Sequence, residues 1–130
     1  MTHDGQKRVL IMEDDPSTLE VISDTMTEEG YKTFPFNKVD HNCVNTLLNG
    51  KIDLILLDLG LFNFNSVVIM DFLKNNGAAK DVPIIVVSGK PVKEIERAAA
   101  SLKASNWIRK PFKLDELIRK VRVVLGDVVE

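Results

Sequence analysis

In Lys51-Ile-Asp-Leu-Ile-Leu-Leu-Asp-Leu59, the residues Ile52, Leu54, Ile55, Leu56 and Leu57 form a short apolar run broken only by Asp53. A run this short, rich in Leu and Ile, fits a strand buried on both faces, the kind found inside parallel sheets. It ends on a carboxylate, Asp58. A charge at the carboxyl end of a buried strand is costly unless something there uses it. In open parallel sheets, ligands bind just beyond the carboxyl ends of the strands. Asp58 is therefore the residue that the rest of the chain has to account for.

A second apolar run, Arg8-Val-Leu-Ile-Met12, also ends in acids: Glu13, Asp14 and Asp15. Asp15 followed by Pro16 reads as a helix cap with proline at the first helical position. Leu19, Val21, Ile22 and Met26 continue at helical spacing, and Gly30 stops the helix. Residues 31–36 read as a short strand, which Pro35 places at a sheet edge. A helix over 39–48 ends at Asn49-Gly50, and the strand to Leu57 follows. A loop covers 59–64, and a helix covers 66–75 before Asn75-Asn76-Gly77. Pro83-Ile-Ile-Val-Val87 is a fourth strand, followed by Ser88-Gly89. Pro91 opens a helix to Leu102. Residues 106–109 form a fifth strand, followed by Lys110-Pro111. Residues 114–125 form an amphipathic helix with Leu117, Ile118, Val121, Val124 and Leu125 inward. Val128 and Val129 are a tail.

Five repeats of strand then helix predict an α/β fold: a doubly wound, five-stranded parallel sheet with helices on both faces and right-handed crossovers. At 130 residues the chain fits one domain, with a core over about 7–126 and a flexible leader over 1–6. Hydrophobic residues at 45% and charged residues at 28% are a globular balance. A net charge of -2 argues against direct nucleic-acid binding, which needs a concentrated basic face. One cysteine, Cys43, allows no internal disulfide and fits a reducing compartment. Neither a signal core nor an apolar run near the ~20 residues of a membrane span is present. The expectation is a cytoplasmic protein.

The strand ends carry the chemistry. Strand one delivers Glu13 and Asp14, strand three Asp58, strand four Ser88, and strand five Lys110. Each alone is an ordinary loop residue; together they put three carboxylates, a hydroxyl and an ammonium on one sheet edge. Clustered carboxylates repel, and a cation among them relieves the repulsion. All-oxygen donors suit Mg²⁺. A carboxylate can attack phosphorus to give an aspartyl phosphate. A hydroxyl and an ammonium can then bond the phosphoryl oxygens.

With these residues the chain resembles the receiver domains of two-component response regulators, chemotaxis-type receivers among them. The resemblance rests on Val9-Leu-Ile-Met-Glu-Asp-Asp-Pro16, Asp53-Leu-Ile-Leu-Leu-Asp-Leu59, Pro83-Ile-Ile-Val-Val-Ser-Gly89 and Trp107-Ile-Arg-Lys-Pro-Phe112. It implies a flavodoxin-like fold with strand order 2-1-3-4-5. It implies that Asp58 is the phosphoacceptor, and that Glu13, Asp14, Asp58 and the Gly60 carbonyl hold Mg²⁺, Asp14 directly and Glu13 through water. Ser88 matches the switch hydroxyl, Lys110 the family lysine with a cis Lys110-Pro111 bond, and Trp107 the aromatic switch. The implied donor is a sensor histidine kinase or phosphotransfer protein, and the output passes from a face within 88–125 to an unnamed protein or domain. The family also admits a phosphorylation-linked dimer. The chain would be a signalling phosphoacceptor rather than an enzyme, phosphorylating itself from small donors with Mg²⁺ and hydrolysing its own phosphoryl group.

The sequence departs from the family pattern at Phe62, Asn65 and Ser66 in the loop after the phosphoacceptor. It departs again at Lys103-Ala104 before the fifth strand, and in carrying the large Trp107. The positions that in the family flank the path of the hydrolytic water, two beyond Asp58 and two beyond Ser88, are here Gly60 and Lys90. A pseudo-receiver, a phosphorylation-independent interaction module, is the alternative that the altered 60–66 loop raises. An aspartyl-phosphate phosphatase would need an acid at position 60. A nucleotide binder would need a glycine-rich loop after the first strand. His3, His41 and Cys43 read as idle, Met12, Met26 and Met70 as core filler, Asp53 as the start of the strand, and Asp15 as a cap.

Overall fold

The computed structural model describes residues 5–62, 71–73 and 80–127. In chain order the elements are β1 (Arg8–Met12), α1 (Pro16–Glu28), β2 (Lys32–Phe36), α2 (His41–Asn49) and β3 (Leu54–Asp58). A 3₁₀ turn (Leu59–Phe62) follows, then residues 71–73, which are helical and carry the label α3. The chain continues with β4 (Ile84–Ser88), α4 (Val92–Leu102), β5 (Asn106–Arg109) and α5 (Leu114–Leu125). The rest of the helix expected over 66–75, including Met70, and the loop positions Asn65 and Ser66 lie outside the described residues, as do Val128 and Val129.

The strands form one parallel sheet in the order β2-β1-β3-β4-β5, as expected. β2, with its Pro35, is an edge strand. All five residues of β3 and of β4 are buried. The period of two along each strand divides the core between the two faces. Val9, Ile11, Leu54, Leu56, Ile85, Val87 and Ile108 pack with Ile22 and Met26 of α1 and Leu117 and Val121 of α5. Leu10, Met12, Ile55, Leu57, Ile84 and Val86 pack with Cys43 and Leu47 of α2 and Ile95, Ala99 and Leu102 of α4. Burial of the Cys43 thiol pushes its pKa up to about 11, which fits its idle reading.

Caps set the helix starts. Asp15 accepts from the Thr18 backbone N–H at 2.9 Å, with Pro16 next in line. Asp40 accepts from the Cys43 N–H at 2.9 Å, so α2 begins at His41 rather than at 39. Asp53 does more than open β3. Its carboxylate accepts from the Arg8 N–H at 2.7 Å, and its own N–H donates to the Arg8 carbonyl at 2.8 Å. These two bonds fasten the start of β1 to the approach to β3, where Lys51 turns the chain at a φ of 55°.

The opposite end of the sheet from the strand carboxyl termini is held by a polar clasp. Lys7 bonds the Leu125 carbonyl and lies 2.8 Å from the Asp127 carboxylate. The Tyr31 hydroxyl donates to Asp127 at 2.7 Å, and Arg122 meets Glu29 at 2.7 Å. Within the expected leader, Gln6 is also tied, its amide donating to the Gly30 carbonyl at 3.1 Å.

The clasp makes a prediction. Lys7, by its hydrogen bond, holds the Asp127 carboxyl below the ordinary value of 3.8. A carboxyl whose folded pKa is depressed stabilises the fold fully above its unfolded pKa and stops doing so as pH falls through the folded one. Asp127→Ala, which also strips the buried Tyr31 hydroxyl of its acceptor, is expected to cost about 1–2 kcal/mol at neutral pH. Urea unfolding should show the gap between mutant and native chain narrowing once the pH drops below 3.8. Equal stability at neutral pH would contradict the clasp.

Candidate functional site

The side-by-side pairing of β1 and β3 builds the site. Met12 is in register with Leu57, so the next residues along, Glu13 and Asp58, emerge together at the carboxyl edge. Glu13 (1% exposed) and Asp58 (4% exposed) are buried, while Asp14 stands exposed at the rim. Each of the three offers an oxygen within 4.8 Å of the others'. The Gly60 N–H donates to Asp58 Oδ1 at 3.0 Å. The Asp14 N–H reaches toward Asp58 Oδ2 at 3.4 Å.

β4 and β5 add the other two groups. Asp58 is in register with Val87, which places Ser88 one step further along. Ser88 is fully buried, and its Oγ accepts from the Lys90 N–H at 3.1 Å. Ser88 is also in register with Arg109, and the following residue, Lys110, donates its N–H to the Ser88 carbonyl at 2.7 Å. The Lys110-Pro111 bond is cis. The Lys110 ammonium lies 2.6 Å from Glu13 Oε1 and 3.6 Å from Asp58 Oδ1. In this state the lysine's closer partner is Glu13.

Glu13, Asp14, Asp58, Gly60, Ser88 and Lys110, the candidates from the sequence, thus share one edge. Asp15 caps α1 and is turned to Thr18, consistent with its reading as a cap. Trp107 stands elsewhere. It is half-buried on β5, opposite Val86, against the core cluster on the α2/α4 face. Sequence periodicity leaves Lys120 on the polar side of α5, yet its ammonium sits over the Trp107 ring at 5.4 Å. The only advance signal for it was its spacing of four from Glu116.

The electrostatics favour a cation. The Asp14 carboxyl is raised above its ordinary 3.8, first by its hydrogen bond to Asp58, then by lost solvation and by repulsion from Asp58. Lys110 is the ammonium at hand, and it is already drawn to Glu13. The donor set is all oxygen, which fits a hard divalent ion. Gly60 keeps the space open: a Cβ there would come within 3.2 Å of both Asp14 Oδ2 and Asp58 Oδ2. Beside this edge, α1 and the start of α5 enclose a groove of about 670 Å³, lined by Thr18, Val21, Lys110, Phe112 and Leu114 among others.

Residues 9–122 match the model of the response regulator receiver domain. The chain belongs to this family. Receiver domains are signalling modules of two-component systems. One curated relative is the regulatory protein VirG of Rhizobium radiobacter, 28% identical over 120 residues, which are 92% of this chain and 43% of VirG. The chain spans about half the length of the curated relatives it matches. A CheY-like receiver from Methanospirillum hungatei JF-1 has the same fold, with a TM-score of 0.78 at 22% identity, covering 95% of this chain and 96% of that one. So does the receiver domain of the sensor histidine kinase PA1611 from Pseudomonas aeruginosa PAO1, with a TM-score of 0.78 at 21% identity, covering 94% and 99% of the two chains. That structure has a magnesium ion coordinated in its active site cleft.

The raised Asp14 carboxyl fixes the sign of a prediction. A carboxyl whose folded pKa is elevated weighs against the fold when ionised, above the folded pKa, and ceases to do so below the unfolded one. Asp14→Asn is therefore expected to raise the metal-free melting temperature at neutral pH. The gain should shrink as pH falls through the raised pKa toward 3.8 and be absent below it. A mutant that melts lower than the native chain would contradict the repulsion.

Proposed function

We propose that this chain is a phosphoryl-accepting receiver whose acceptor is Asp58. The observation that carries the reading is the convergence of the buried Asp58 with Glu13, Asp14 and the Lys110 ammonium at the ends of β1, β3 and β5. The donor is a phosphohistidine on a sensor histidine kinase or a phosphotransfer protein. An Asp58 carboxylate oxygen attacks phosphorus, the N–P bond breaks, and its electron pair returns to the imidazole. Hydrolysis later replaces the Asp58–phosphorus bond with one to water, regenerating the carboxylate and releasing phosphate. The described chain acts as one receiver unit in the cytoplasm, beside its kinase.

Glu13, Asp14, Asp58 and the Gly60 carbonyl would hold Mg²⁺. When bound, the cation offsets the charge that gathers on the transferring oxygens. The chain's own groups do the rest. The Gly60 N–H and Lys110 orient the Asp58 carboxylate. Ser88 Oγ accepts from the Lys90 N–H with one lone pair, and its own proton donates to a phosphoryl oxygen. Lys110 exchanges Glu13 for the phosphoryl group. Charge-assisted hydrogen bonds are each worth about 1.5–3 kcal/mol. Two of them, with the metal, reach the ~5.5 kcal/mol that moves a two-state equilibrium from about 1:99 to 99:1. The Ser88–Pro91 segment is drawn inward, and α4, β5 and α5 carry the change to an output partner or to a second copy of the chain.

The groove beside Lys110 is the approach for the donor. It adjoins the acceptor, and its walls include the exposed Val21 and Leu114. In the pseudo-receiver alternative none of these groups would need to converge.

Two experiments test the reading. Incubation with Mg²⁺ and acetyl phosphate is expected to add one phosphoryl group by intact mass, absent without metal and absent in Asp58→Asn. No adduct on the native chain would point to the pseudo-receiver. Val21→Asp with Leu114→Asp is expected to slow transfer from a kinase at least tenfold, the effect of losing about 1.4 kcal/mol of docking, while leaving the acetyl phosphate reaction unchanged. Equal loss with both donors would show that the groove serves the site itself rather than the donor.

A further inference from the structure

Lys120 lies on α5 with only 16% of its side chain exposed, and its ammonium has three partners. It donates to the Trp107 carbonyl at 2.8 Å, sits over the Trp107 ring at 5.4 Å, and pairs with Glu116 at 3.3 Å. A lysine has three donor protons, and here one goes to the strand backbone while the charge faces the indole and a carboxylate. β5 is an edge strand, so its outer carbonyls have no further strand to bond. Lys120 therefore fastens α5 to β5 at the residue whose ring lies half-buried over the core cluster containing Ile95, Ala99 and Leu102.

We propose that Lys120 is a positioning residue for Trp107, a latch that holds the indole in the arrangement of the unphosphorylated chain. Cation–aromatic attraction depends on the ring lying under the ammonium, so moving the indole away forfeits it. Glu116 keeps the ammonium from swinging out to solvent. The latch therefore opposes any output state in which the ring leaves this place. Its coupling to Asp58 rests on the phosphoacceptor reading above; the holding of the ring does not.

Trp107 is the chain's one tryptophan, so its emission reports the latch directly. The full chain is compared as native, Lys120→Met and Lys120→Arg, with circular dichroism as the check on folding. Met keeps the length of the side chain without the charge, while Arg can donate to the carbonyl and stack on the ring. Acrylamide quenching of Trp107 is expected to rise in Lys120→Met and to return toward native in Lys120→Arg. With Mg²⁺, beryllofluoride titration followed by this emission should reach its midpoint at about fivefold lower concentration in Lys120→Met, the factor that loss of one such contact corresponds to. Asp58→Asn should show no response to the mimic. Native quenching in Lys120→Met, or an unchanged or weaker midpoint, overturns the latch. If the native chain binds no mimic, the phosphoacceptor reading fails instead, and quenching without the mimic alone decides the latch. A variant that has lost its helical signal is set aside, and Lys120→Gln takes its place under the same two criteria.

Discussion

Glu13 is a carboxylate with almost no access to water, and the Lys110 ammonium 2.6 Å away is what makes its burial tolerable. Removing either partner of such a pair leaves an uncompensated buried charge. Much of the architecture serves that contact. β1 must lie between β2 and β3 to bring Glu13 beside Asp58, and β5 must end level with Ser88 to bring Lys110 across. The parallel order β2-β1-β3-β4-β5 does both. It leaves Asp58 with a second, longer contact to the same ammonium at 3.6 Å, so one cation is shared by two acids while a third stands at the rim. The result is three carboxylates at one edge with a single lysine ammonium between two of them.

Much of this was legible in the sequence because it depends on local pattern. Short apolar runs that end in Glu13-Asp14, Asp58, Ser88 and Lys110 identify both the strands and the edge. The period of two in β1 and β3 and the helical spacing in α1 and α5 identify the two core faces. Asp15-Pro16 gives the start of α1, and Pro35 places β2 at an edge. What the sequence did not reveal depends on contacts between distant residues. Lys7 meets Asp127, and Tyr31 meets the same carboxylate, with no pattern linking the three. The preference of Lys110 for Glu13 over Asp58 is a matter of ångströms. Lys120 reads as one more solvated lysine on an amphipathic helix until β5 supplies the Trp107 ring and carbonyl.

The two ends of the sheet are built in opposite ways. At the amino ends, opposite charges are matched: Lys7 with Asp127 and Arg122 with Glu29, with Tyr31 completing the set. At the carboxyl ends, like charges are crowded and Asp14 is pushed toward protonation. Ion pairs thus gather at one end of the sheet and like charges at the other. α5 joins the two regions. Its last turn belongs to the clasp, while its first turns adjoin the groove beside Lys110 and carry Lys120 to Trp107.

The most direct test of the central claim is to locate the acyl phosphate chemically. After reaction with acetyl phosphate and Mg²⁺, borohydride reduction turns an aspartyl phosphate into homoserine, and peptide mass spectrometry reads its position. Homoserine is expected at residue 58 and nowhere else. Homoserine at another acid, or a residue 58 that stays aspartate throughout, would contradict it.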